Sequence, residues 1–108
     1  MLLTLTDSNF QKEISDFKGI IMVDFWAAWC GPCRIQGPIV EKLAQKYENN
    51  SQVKIGKLDV ENNRNIQAKY SIMSIPTIIF FKNGEIIDLL VGLHNAVDLD
   101  LKLSEFAK

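Results

Sequence analysis

Ile20-Ile21-Met22-Val23-Asp24-Phe25-Trp26-Ala27-Ala28-Trp29-Cys30-Gly31-Pro32-Cys33 runs from an apolar stretch into the chain's only two cysteines, set two residues apart. The stretch Ile20 to Trp26 is apolar nearly throughout and reads as a strand covered on both faces. From Cys33 to about Tyr47 apolar residues recur at helical spacing. The cysteine pair is therefore expected at a strand-to-helix junction. There the first sulfur sits over a helix N-terminus, where unpaired N–H groups and the positive end of the dipole favour an anion. Its pKa falls below the free value of ~8.5, and more nucleophilic thiolate exists at neutral pH. The second sulfur lies one turn on, close enough to close a disulfide. The pattern reads as a redox centre.

Three other readings compete. A structural zinc site needs four ligands, and besides the cysteines the chain offers only His94. A purely structural disulfide would close a very small loop and constrain the unfolded chain little. An inert reduced pair in the core fits poorly with Gly31-Pro32, which marks a turn, and with the bulky flank of Trp29.

The 108 residues suit one compact domain, 1–108, and are too few for two. The composition is 47% hydrophobic and 23% charged, with a net charge of −1. That charge leaves no basic footprint for nucleic acid or anionic lipid. No apolar run approaches the ~18 residues that span a bilayer, so no membrane association is expected. The start, Met1 to Asp7, has neither a basic region nor a long apolar core, so no secretory signal is expected. In a reducing cytoplasm, the compartment this suggests, a lone CxxC is catalytic or metal-binding rather than a staple.

Outward from the cysteines, Leu2 to Leu5 reads as a short edge strand. Thr6 to Asn9 offers N-caps for a helix carrying Phe10, Ile14 and Phe17, which Lys18-Gly19 stops. Beyond Cys33, one helical face is expected to carry Ile35, Ile39, Val40, Leu43, Ala44 and Tyr47, with Pro38 as a kink. Val53 to Val60 reads as a strand, and Asn63 to Tyr70 as a short helix with Ile66, Ala68 and Tyr70 as its apolar members. Thr77 to Phe81 and Ile86 to Val91 read as strands joined by a hairpin turn at Lys82-Asn83-Gly84-Glu85. Asn95 to Ala107 reads as an amphipathic helix carrying Val97, Leu99, Leu101, Leu103 and Phe106. The order β-α-β-α-β-α-β-β-α predicts an α/β fold: parallel crossovers first, a closing antiparallel hairpin, and helices on both faces of the sheet.

Several separated segments resemble the thioredoxin family. They are Val23-Asp24-Phe25-Trp26-Ala27, the motif Trp29 to Cys33, Pro38, Lys57-Leu58-Asp59, Tyr70-Ser71-Ile72, Ile75-Pro76-Thr77, Phe81-Lys82-Asn83-Gly84 and Val91-Gly92. The resemblance covers essentially the whole chain in the family's order. It implies the thioredoxin fold, a central mixed sheet of about five strands flanked by four helices in three layers. Gly31-Pro32 between the cysteines resembles the reducing branch of the family. Departures are Arg34 where Lys is common, Gln36-Gly37 at positions usually more apolar or Ala-like, Met73 where a basic residue often sits, and Ser74 for a frequent Gly. They leave the chemistry in place and bear on which partner proteins fit the surface.

Asp24 interrupts an apolar run on a strand read as central. It is either an edge-strand carboxylate facing water or a buried one below the CxxC. Burial would raise its pKa and let it exchange a proton with Cys33, the role the resemblance implies. Lys57 shares strand parity with Val53 and Ile55. Its amine either reaches toward Asp24, as the resemblance implies, or snorkels to water. The resemblance also implies that Pro76 is cis beside the disulfide and leaves the backbone of Ile75 free to pair with a substrate strand. Gly92 is either a low wall of that groove or a plain turn glycine. Trp29 is expected to shield the sulfurs, with Gly31 and Pro32 beside it facing substrate. Trp26 reads as core and His94 as surface.

Two functions follow as expectations. In one, Cys30 and Cys33 reduce disulfides of other proteins. No cofactor is bound beyond the redox-active disulfide, the chain is a monomer, and a flavoprotein resembling thioredoxin reductase restores the dithiol with NADPH. In the other, the chain is a binding module of a larger assembly and its cysteines are incidental. An oxidase or isomerase is disfavoured by the absence of a His before the second cysteine.

Overall fold

The computed structural model describes residues 2–108. The elements are β1 (Leu2–Leu5), α1 (Phe10–Asp16), β2 (Ile20–Trp26), α2 (Gly31–Lys46), β3 (Val53–Asp59), α3 (Arg64–Lys69), β4 (Thr77–Lys82), β5 (Glu85–Val91) and α4 (Ala96–Phe106). The sequence reading of element order holds throughout. The strands form a single five-stranded sheet in the order β1-β3-β2-β4-β5. β1, β3 and β2 run parallel. β4 runs antiparallel to β2 as well as to β5. The antiparallel part thus begins at the β2–β4 pairing, one strand earlier than a closing hairpin alone requires.

Alternation along β2 sends side chains to opposite faces. Ile21, Val23 and Phe25 join Phe10 and Ile14 of α1 and Ile66 of α3 in one core. Ile20 and Met22 join Val40 and Leu43 of α2 and Leu99 and Leu103 of α4 in the other. The two cores make three layers, α/β/α, the thioredoxin architecture. Both faces of β2 are covered, which is why its sequence is apolar at nearly every position. The hairpin between β4 and β5 turns on Asn83 and Gly84, both with positive φ (54° and 83°). That pair of signs is the turn an Asn-Gly dipeptide favours.

Local differences from the sequence reading have simple causes. α2 begins at Gly31, two residues before Cys33, because Pro32 fits its first turn, where the missing N–H has no partner to lose. Pro38 lies inside α2, as the reading of one helix to about Tyr47 expected. On α2, Ile35 is 56% exposed and the inward position belongs to Gln36, fully buried one turn before Val40. On α4, a spacing of four carries Leu99 and Leu103 inward and leaves Val97 and Leu101 in solvent. Ala68 of α3 is exposed. Trp26 at the end of β2 is only half-buried, although its indole Nε1 is enclosed without a hydrogen-bond partner among the described residues.

Candidate active site around Cys30 and Cys33

β2 ends at Trp26 and α2 begins at Gly31, so Cys30 is the N-cap residue of α2. Its backbone is extended (φ −90°, ψ 116°), the geometry an N-cap requires. Cys30 Sγ accepts the backbone N–H of Cys33 at 3.2 Å, so the sulfur occupies the place where a capping oxygen normally sits. An anion there meets an orphan donor and the positive end of a 16-residue helix. Cys30 and Cys33 are joined as a disulfide, with Cα atoms 5.3 Å apart.

Both cysteines are 5% exposed, so solvent contact does not set the first apart from the second. Their neighbours do. Cys30 Sγ lies 3.7 Å from the carbonyl oxygen of Ile75, in the loop leading to β4. Cys33 instead lines a cavity of about 220 Å³ between α2 and the sheet, bounded also by Asp24, Trp26, Gly37, Pro38 and Lys57. One sulfur lies against the loop and the other residue shares a cavity with a buried carboxyl.

Asp24 is 2% exposed, and its Oδ1 has no hydrogen-bond partner among the described residues. It is the buried carboxyl of a central strand, not an edge-strand residue facing water. Burial pushes its pKa up to about 7, and the Lys57 cation holds it from rising further. Lys57 is half-buried and pairs with Asp24 in the β2–β3 register. Its Nζ also lies 5.6 Å from the centre of the Trp26 ring. The amine thus reaches the Asp24 side of the sheet, against an aromatic face, rather than only carrying a stem beneath a solvated head.

The outer rim comes from three segments. Trp29 is 67% exposed, and its indole N–H donates to the Glu61 carboxylate. Gly31 and Pro32 are exposed beside it. The Ile75–Pro76 peptide bond is cis. Gly92 has φ +93° and donates its N–H to the Pro76 carbonyl at 2.8 Å. Positive φ is a conformation that favours glycine, so the residue type at this position follows from the backbone. Sequence reasoning did not single out Glu61, and read Gln36 only as a departure and His94 only as surface. The Gln36 carboxamide donates to His94 O at 3.0 Å and accepts from His94 N–H at 2.9 Å. No sequence signal marked Gln36, because its burial depends on how α2 packs; once buried, such an amide needs partners.

Among the described residues no cluster of His, Cys, Asp or Glu is placed to hold a metal. None of the helices there is long and apolar enough to cross a membrane.

The family model described as Thioredoxin matches residues 1–105. The chain is 42% identical over 107 residues to a thioredoxin of Buchnera aphidicola subsp. Schizaphis graminum, covering 99% of this chain and 97% of that one. It is 49% identical over 87 residues to a thioredoxin of Chlorobaculum thiosulfatiphilum, covering 81% and 79%. It is 46% identical over 93 residues to a thioredoxin of Staphylococcus haemolyticus, covering 86% of each. With a disulfide whose first sulfur caps α2 and a family match along nearly its whole length, this chain belongs to the thioredoxin family and is a protein-disulfide oxidoreductase.

Proposed function

We propose that the chain works as one domain, 1–108, and as a monomeric general protein-disulfide reductase of the cytoplasm. The observation that supports this most is the division of surroundings between the sulfurs: Cys30 at the helix cap beside the Ile75 backbone, Cys33 at the cavity shared with Asp24. In the dithiol form, Cys30 thiolate attacks one sulfur of a substrate disulfide. A mixed disulfide forms and the other substrate sulfur leaves as a thiolate. Cys33 gives its proton to Asp24 and attacks Cys30 Sγ. The Cys30–Cys33 disulfide forms, the second substrate sulfur leaves, and two electrons have passed to the substrate.

Asp24 suits the proton transfer because its raised pKa lies near neutrality, where a base and its conjugate acid are both present. Lys57 tempers that pKa. Gly31, Pro32 and Trp29 form the surface on which substrate lands, and Ile75, Pro76 and Gly92 form the groove in which its chain lies extended. Exposed Ile35, Met73 and Leu93 flank these segments and favour apolar residues next to the target disulfide. The dithiol is restored by a flavoprotein resembling thioredoxin reductase, with NADPH as electron source, which maintains cell redox balance.

Insulin provides the test. Catalytic amounts of the chain should accelerate insulin precipitation by dithiothreitol, and NADPH with a bacterial thioredoxin reductase should replace dithiothreitol. No acceleration in the first assay would defeat the reductase reading in favour of a binding module. Activity in the first assay alone would defeat the reductase–NADPH partnership and leave the disulfide chemistry standing.

A further inference from the structure

We infer that Gln36 and His94 form a clamp that positions the substrate-facing loop against the helix carrying Cys33, which rests on the groove reading above. Gln36 lies three residues after Cys33 on α2 and is fully buried. Its carboxamide satisfies both the N–H and the C=O of His94, at 2.9 and 3.0 Å. That two-point bridge resembles one rung of a ladder, except that a side chain supplies one side. The His94 ring then closes the loop on itself. Its Nδ1 lies 3.0 Å from the Gly92 carbonyl oxygen, which can only accept, so Nδ1 carries the hydrogen.

The bonds continue around the disulfide. Gly92 N–H donates to Pro76 O, and Ile75, the residue before Pro76, places its carbonyl 3.7 Å from Cys30 Sγ. Hydrogen bonds and backbone therefore link Cys33 through Gln36, His94 and Gly92 to the Ile75–Pro76 loop, whose Ile75 carbonyl lies against Cys30 Sγ. Gly92 has open space on its Cβ side and a positive φ, so it does not hold itself by packing. The clamp adds a second restraint, at the Gly92 carbonyl, to the Gly92–Pro76 bond. Neither Gln36 nor His94 reaches the reacting sulfurs in these contacts; both are positioning residues.

The expected consequence is selective. A protein substrate needs the groove, whereas a small reagent needs only the sulfur. Gln36→Leu keeps the size and removes both amide bonds. It should raise the KM for insulin disulfides about fivefold, the weight of one to two neutral hydrogen bonds. kcat should change less than twofold, and so should the rates at which the reduced protein reacts with iodoacetamide and with 5,5′-dithiobis(2-nitrobenzoate). Amide exchange at Gly92 and His94 should quicken at least tenfold while that of the β2 core stays unchanged. His94→Ala leaves the Gln36 bridge to the backbone and removes only the ring bond, so its effects should be smaller and in the same direction. Gln36→Glu retains the bond from His94 N–H and serves if the leucine variant does not fold. An unchanged insulin KM, or equal slowing of insulin and both small reagents, would overturn the clamp as a positioning device. So would unaltered exchange at Gly92 and His94. The wild-type chain is assayed alongside: its failure on insulin would defeat the reductase reading, and the exchange rates would still decide whether the clamp holds the loop.

Discussion

Asp24 stands directly opposite Lys57 in the parallel ladder of β2 and β3, on the sheet face that α2 covers. A carboxyl, an amine and the inner sulfur Cys33 thus border one cavity. The same pairing explains why Asp24 is raised without being locked in its neutral form. Burial disfavours its charge, and the amine opposite partly restores it.

Asp24 should make stability fall as pH rises. Its pKa is 3.8 in the ordinary state and about 7 in the fold. Between those values the folded protein holds a proton that the unfolded chain has released, so the unfolding free energy declines from about pH 4 to about pH 7 and then levels. The full span corresponds to about 4 kcal/mol at most. Asp24→Asn should flatten this dependence and gain about 2 kcal/mol or more over wild type at pH 8, with little difference at pH 4. Urea titrations at both pH values measure it. Parallel curves for the two proteins would show that Asp24 is not the group responsible.

The same substitution should slow insulin reduction through the second exchange, in which Cys33 must lose its proton. Single-turnover experiments should show mixed disulfide forming at the wild-type rate and resolving about tenfold or more slowly, the lower range of a general-base contribution. Resolution at the wild-type rate would remove Asp24 as proton acceptor.

Cys33→Ser should trap substrates. Cys30 keeps its place at the helix cap and can still attack, but serine cannot perform the second exchange. Covalent complexes with insulin chains should accumulate on non-reducing gels and vanish with dithiothreitol. Cys30→Ser should trap at least about tenfold less, because the remaining thiol lacks the N-terminal position that lowers its pKa. Serine is itself a good N-cap, so that variant should fold. Equal trapping would make the sulfurs interchangeable.

Limiting iodoacetamide on the reduced protein should label Cys30 before Cys33. The reason is pKa rather than exposure, since both cysteines are equally enclosed in the disulfide form. Peptide mapping that finds Cys33 labelled first would reverse the assignment.

Gly92→Ala should cost about 1 kcal/mol of stability, because an alanine at φ +93° is strained although nothing lies within 4 Å of the added carbon. Thermal unfolding reads this directly. Insulin reduction should fall further than stability alone explains, since the groove wall is raised. A stable and fully active variant would return Gly92 to a plain turn.

The order of elements, the double-sided burial of β2, the Asn83-Gly84 hairpin and the redox pair at a helix start are all legible in the sequence. Each is a local matter: side-chain periodicity, turn chemistry and residue spacing along a short stretch. Asp24 was legible as an anomaly in an apolar run, but whether it faced water or a cavity depended on which strands flank β2. Lys57 opposite Asp24, Glu61 beneath Trp29, and Gln36 holding His94 join residues between 32 and 58 positions apart. No periodicity records such pairs. Ile35 and Gln36 show the limit most clearly. By hydrophobicity alone Ile35 belongs inside, yet it projects to solvent and Gln36 takes the buried place. The tertiary structure decides this, because the turn of α2 that aligns with Val40 points at the backbone of His94, where only a residue that both donates and accepts can satisfy the groups it covers.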